Sequence, residues 1–237
     1  MSGIIYAGPS ELDGKPIVAI AITSSANAKT GNMVQTYIIR SDIDPRDASK
    51  SGADSSVCGS CIHRGKAHAD PDRATAKERS CYVLLGQGPL QVYKAYKRGA
   101  YRKVNDIAAL GDGRMVRIGT YGDGLAVPQW VWDELLSKSI GHTAYTHQLN
   151  SRPEVFMTSA DSLPLAQAAW AIGERTFRTI TDIAEVQGNE ILCPASEEMG
   201  RRTTCLSCKL CSGNTIKAKN IAIVVHGSGA GHYDGSV

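Results

Sequence analysis

The sequence predicts an α/β fold: a partial (βα) barrel or open, mostly parallel sheet with helices outside, preceded by a short N-terminal β element. Three observations carry this. From about residue 83 short apolar runs alternate with helical patterns at roughly regular intervals, as parallel βα units do. The ends of those runs are unusually polar, which suits strands whose carboxyl ends share one ligand-facing surface. The first 40 residues hold two strand-like runs and no helical period.

In chain order, Ile17 to Thr23 and Val34 to Ile39 are rich in β-branched residues and flank a Ser/Asn/Gly-rich turn, so the chain begins as β-structure. A polar stretch, Ser41 to Ser56, closes this element, residues 1–55. Residues 56–82 form a cysteine loop with little apolar matter between 62 and 80, and so long a loop is uncommon in a compact domain unless functional. The core, 83–226, opens with a helix over Leu90 to Arg98 and a strand over Met115 to Thr120. Pro128 to Lys138 is a helix with Pro in its first turn and Val131, Leu135 and Leu136 on one face. Strands at Thr143 to Thr146 and Val155 to Ser159 precede a helix from Pro164 to Ile172 that stops at Gly173. Phe177 to Ile180, Glu190 to Leu192 and Ile221 to Val225 complete the set, and the glycine-rich 227–237 reads as a flexible tail. Trp130, Trp132 and Trp170 fall on helices and read as packing residues.

Composition bounds the function. At 237 residues, 42% hydrophobic and 21% charged, the chain can bury a sizeable core. A net charge of +3 does not by itself argue for nucleic acid. The one basic cluster is Lys94, Lys97, Arg98, Arg102 and Lys103, interleaved with Tyr93, Tyr96 and Tyr101; it reads as a solvated face or as a nucleic-acid surface. No signal-peptide pattern opens the chain and no apolar run reaches the ~20 residues of a membrane span. A cytoplasmic protein with no membrane partner is expected, and in a reducing compartment its seven cysteines are metal ligands rather than disulfides.

Their spacing agrees. Cys205, Cys208 and Cys211 recur at steps of three among Leu, Ser and Lys, and Cys193-Pro194 adds a fourth thiol. A C-x2-C-x2-C loop with a distant Cys-Pro matches the ligand pattern of a 4Fe-4S cluster, in reversed order; tetrahedral zinc is the rival. Cys58, Cys61 and Cys81 form a second group with three thiols, and His63 and His68 lie between them. Zinc would accept this set if a histidine supplied the fourth ligand. A cluster would bind through the three thiolates and leave one iron open. The polar strand ends add Gly122-Asp123, His147, Asp161 and Asp182. Each alone reads as a turn or cap residue, with Asp161 or Ser162 capping the helix at 164; as a set they read as a site.

Residues 114–136, a strand running into Tyr121-Gly122-Asp123-Gly124 and then an apolar helix, resemble the second strand, glycine-rich turn and helix of radical S-adenosylmethionine (SAM) enzymes. Asp123 stands where that family places an acidic residue, although the turn's Pro is displaced to Pro128 and C-x3-C-x2-C is replaced by Cys58, Cys61 and Cys81. The resemblance implies a SAM-binding open iron on these three cysteines, Gly122 and Asp123 positioning the cofactor, an electron-relay cluster on Cys193, Cys205, Cys208 and Cys211, and hydrogen abstraction from an unknown substrate lying over His147 and Asp161. The whole chain, with its Tyr-Thr-His-Gln, Cys-Pro-Ala-Ser and Cys-x-x-Cys-x-Leu-Cys stretches, also resembles a family of cysteine-rich proteins of bacteriophages and prophages, which implies a host bacterial cytoplasm and supports metal binding. The competing expectation is a zinc-stapled, non-enzymatic protein that binds nucleic acid or a protein partner.

Overall fold

The computed structural model describes residues 2–24 and 27–235, so Ser25 and Ala26 of the predicted turn and the last two residues of the predicted tail lie outside the described residues. The chain runs through β1 (Gly3–Pro9), β2 (Pro16–Ile22), β3 (Val34–Arg40), α1 (Pro45–Ser51), α2 (Ser55–Cys58), α3 (Gly88–Lys97) and α4 (Ala108–Gly111). It continues through β4 (Met115–Tyr121), α5 (Gln129–Leu136), β5 (Gly141–Thr143), β6 (Tyr145–Thr146), β7 (Met157–Ala160) and α6 (Leu163–Ala171). Finally come β8 (Thr176–Ile180), β9 (Glu190–Leu192), α7 (Cys205–Cys208) and β10 (Asn220–Val224).

These strands make two five-stranded sheets, ordered β1-β2-β3-β4-β5 and β6-β7-β8-β10-β9. The second is parallel throughout. The first is mixed: β1, β2 and β3 pair antiparallel, then β4 and β5 add in parallel. The N-terminal β element and the predicted core share this sheet, because β3 pairs directly with β4. The predicted strand Thr143 to Thr146 is divided between the sheets. Ala144 is its hinge: its N–H donates to Cys211 O (3.1 Å) and its carbonyl accepts from Met157 N (3.0 Å).

Burial follows from the patterns. Ile17 to Ala21 of β2 are all buried, as expected for a strand covered on both faces, and they pack with Ile38, Val116, Ile118, Val131, Trp132, Leu135 and Phe156 in the main core. Trp132 satisfies its indole N–H on Gly124 O at 2.8 Å. Trp130, expected to pack, is exposed, since it falls on the outer face of α5. A smaller apolar cluster, with Met157, Ala195, Ile221 and Ile223, forms on the second sheet.

Two segments depart from their polar composition. Ser41 to Ser56 folds as α1 and α2 because Asp44 caps the first turn, accepting from Arg46 N at 2.9 Å, with Pro45 beginning the helix. The tail from 227 is anchored, not free: Tyr233 is buried and its hydroxyl donates to Asp161 O (2.6 Å) and Thr179 O (3.1 Å). Among the described residues no helix is long and apolar enough to cross a membrane.

Candidate metal centre

Between the two sheets' strand ends lies a cavity of about 520 Å³, and all seven cysteines line it, with Gly122, Asp123, His63 and His147. None of the seven is in a disulfide.

The first thiol group is held by a polar frame. Cys58 ends α2, where Gly59 takes φ +56 and leaves no room for a side chain, since a Cβ there would sit 2.1 Å from Gln148 Oε1. Arg64 folds the loop back. It donates to Asp54 Oδ1 from Nε (3.0 Å) and Nη2 (2.7 Å), to Gly59 O (2.8 Å) and to Gly52 O (2.8 Å). Cys81 N donates to His63 O (3.1 Å), which brings the distant third thiol home. Gln148 closes the frame from the opposite sheet, donating to Cys58 O (3.1 Å) and accepting from Ser60 N (3.1 Å). Neither histidine groups with the three cysteines. His68 spends Nε2 on Thr75 O and Nδ1 on Asp70 N, while His63 bonds Ser80 and Asp161.

The second group stands on secondary structure. Cys193 follows β9 and donates its N–H to Ala222 O (2.8 Å). Cys205 and Cys208 occupy α7, which docks on the end of the β2–β3 turn through Cys205 N to Lys29 O and Leu206 N to Thr30 O, both 3.0 Å. Cys211 is fixed through the sheet-switching Ala144.

Burial pushes the Cys58 and Cys61 thiols well above their ordinary range; the nearby Asp54 adds to this at Cys58, and the neighbouring thiols Cys58 and Cys81 add to it at Cys61. It raises Cys193 and Cys205 as well, and pushes Cys211 up to about 12. Within each group the sulfurs feel one another's charge, yet no three cysteine sulfurs among the described residues lie all within 4.8 Å of one another. A mononuclear ZnS4 site with Zn–S near 2.3 Å needs sulfurs roughly 3.8 Å apart. Neither group brings three thiols to that spacing. The buried Tyr121 hydroxyl, close enough to Cys58 and Cys81 to feel their charge, makes no hydrogen bond among the described residues.

Asp123 is an organising residue. Its Oδ1 caps the following turn on Leu125 N (3.0 Å), and its Oδ2 accepts from Thr146 Oγ1 (3.0 Å), His147 N (2.9 Å) and Gln148 Nε2 (3.1 Å). Gly122 beside it has φ +87 and packs on Ile38 and Val57. Neither Asp161 nor the Ser162 side chain caps α6, which removes the cap alternative of the sequence reading. Asp161 instead accepts from His63 Nε2 (2.9 Å) and faces His147 Nδ1 (3.3 Å). Asp182 keeps its cap role and lies outside the cavity lining. The sequence offered no signal for Ser80, Tyr233 or Arg64, whose partners belong to no local motif.

Charge in the lining is lopsided. Lys29, Arg64, Arg79, Arg117 and Lys209 face it against two carboxylates, Asp54 and Asp123. Arg64 pairs with Asp54, whereas Arg117 has no acidic partner among the described residues, leaves its buried Nε without a hydrogen bond and donates from Nη2 to Tyr82 Oη (2.5 Å). Family models, curated proteins and solved structures give no match to this chain. The site rests on its geometry.

Proposed function

We propose that this chain is an iron–sulfur protein of partial-barrel type, with a relay cluster on Cys193, Cys205, Cys208 and Cys211 and a cluster with one open iron on Cys58, Cys61 and Cys81, where SAM binds for radical chemistry. One observation carries the reading: seven unbridged thiols, in the two groups their spacing in the chain defines, line a single cavity. When bound, the clusters supply single-electron reduction to the cavity. The chain's own residues do the rest. The surplus cations Lys29, Arg79 and Arg117 offset the negative charge of thiolate-ligated clusters. Asp123 holds His147 by its backbone, and Asp161 orients the His63 ring, with both histidines lining the cavity where a substrate meets them. A phage or prophage origin and a cytoplasmic setting belong to the same proposal.

The zinc-stapled, nucleic-acid-binding alternative draws least support at α3. Lys94, Lys97 and Arg98 are exposed, but Tyr93, Tyr96 and Tyr101 pack half-buried against the core and offer no stacking platform. Anaerobic reconstitution with iron and sulfide, followed by SAM and a strong reductant, tests the proposal. A brown protein that releases 5'-deoxyadenosine, with Cys61→Ser abolishing the release, is expected. A colourless zinc protein that leaves SAM intact would overturn it.

A further inference from the structure

We propose that His63, His147 and Asp161 form a separate divalent-metal site on the cavity wall, a two-histidine, one-carboxylate set suited to Fe(II), Mn(II) or Zn(II). One ligand atom from each residue lies within 4.8 Å of the other two, the single such group among the described residues. The three come from unrelated places: the loop after α2, the residue after β6 and the residue after β7. Local turn chemistry accounts for none of them, since α6 takes no side-chain cap from Asp161.

A hydrogen-bonded His-Asp-His chain would also draw these groups together, and His63 Nε2 to Asp161 Oδ1 at 2.9 Å fits it. The other half does not. His147 Nδ1 is buried 3.3 Å from Asp161 Oδ2 and makes no hydrogen bond, so an imidazole nitrogen and a carboxylate oxygen face each other with nothing satisfying the nitrogen. A cation held by both satisfies them.

The surroundings resemble an outer shell. His63 Nδ1 bonds Ser80 Oγ at 2.7 Å, which would fix the ring with Nε2 toward the ion; Asp161 is steadied by Tyr233 on its carbonyl, and His147 by Asp123 on its backbone N–H. His63 and His147 line the cavity while Asp161 stands behind them, so the remaining coordination positions open into the cavity. No sulfur belongs to the set, although Cys61 lies close enough to feel the Asp161 charge. Lys29, Arg79 and Arg117 elsewhere in the cavity lining favour an oxygen-donor anion, a carboxylate or phosphate, as the ligand that completes the shell. This site does not require the cluster reading to hold.

Cobalt(II) titration of the full chain tests it. The expected result is a component with weak visible d–d bands and no sulfur-to-metal charge transfer, present in wild type and in Cys61→Ser. Its affinity is expected to fall more than about tenfold in His147→Gln and Asp161→Asn, and by about tenfold in Ser80→Ala, which leaves all three ligands in place. Cobalt bound only through sulfur, or unchanged affinity in the three variants, overturns the site. Retention of this component in a protein that assembles no cluster would sink the iron–sulfur proposal and leave this one standing.

Discussion

The two thiol groups face the same cavity but are built in opposite ways. Cys58, Cys61 and Cys81 sit in a loop framed by polar and titratable side chains: Arg64, Asp54, Gln148, Asp123, His63 and Tyr121. Of the other four, Cys193, Cys205 and Cys211 pack with Met157, Ala195, Ile221 and Ile223 against the parallel sheet. A polar wall moves protons and orients ligands, whereas an apolar wall insulates. The difference assigns chemistry to the first group and storage or relay of electrons to the second, within the proposed function. Each group nonetheless stands on one buried ion pair, Arg64–Asp54 (2.7 Å) for the loop and Arg178–Glu190 (2.7 Å) for β9, where the Asp54 side chain is 4% exposed and those of Arg178 and Glu190 are 2% and 0%.

Breaking those pairs gives the largest expected effects. Arg64→Leu and Arg178→Leu each strand a buried carboxylate and are expected to cost about 3–5 kcal/mol in urea unfolding. The two should differ in kind: Arg64→Leu should expose residues 59–81 to proteolysis, and Arg178→Leu should not. Equal cleavage would erase the contrast between a loop-borne and a strand-borne group. Next comes Gly122→Ala, whose Cβ would lie 2.7 Å from Ile38 Cβ and 2.8 Å from Ile38 O at a φ of +87. A loss of more than about 1 kcal/mol is expected from its melting temperature. Wild-type stability there would show that the turn gives way.

A pH series sharpens the comparison on the second side. Burial holds His142 below its ordinary range, with Nε2 on Val155 O at 2.8 Å, beneath the segment that carries Cys211. The unfolded chain then takes up a proton that the fold resists. Stability is complete above about pH 6.5 and falls as pH drops below it, by no more than about 1.4 kcal/mol per pH unit for this group. Burial lowers His226 and His147 in the same sense. His142→Gln should flatten the acid limb of a urea-midpoint series, and an unchanged limb would assign it elsewhere. The smallest effect is Tyr233→Phe, which removes the bonds to Asp161 O and Thr179 O and should cost about 1 kcal/mol in thermal unfolding.

Much of the fold was legible because its signals are local. The runs at Ile17, Val34, Met115 and Glu190 are short, apolar and bounded by turn residues, and each is a strand within a residue or two of its expected bounds. β1 was not read, since Gly3–Pro9 is bracketed by Gly and Pro and owes its place to the register with β2. Nor could the sheet break at Ala144 be seen, because it depends on Cys211 and Met157 as partners. The cysteine groups were visible through spacing alone. Asp161 and His147 were legible as a site from their places at strand ends, but the His63–Asp161 contact spans 98 positions and leaves no pattern, so His63 was read as a ligand only of the cysteines. Tyr233 was hidden in a glycine-rich end that composition marks as loose.

The most direct measurement is iron and acid-labile sulfide per chain in anaerobically prepared wild type, Cys61→Ser and Cys208→Ser. About eight of each in wild type and about four in each variant is the result expected of two independent clusters. Zinc in place of iron, or no bound metal in any of the three, would contradict the account.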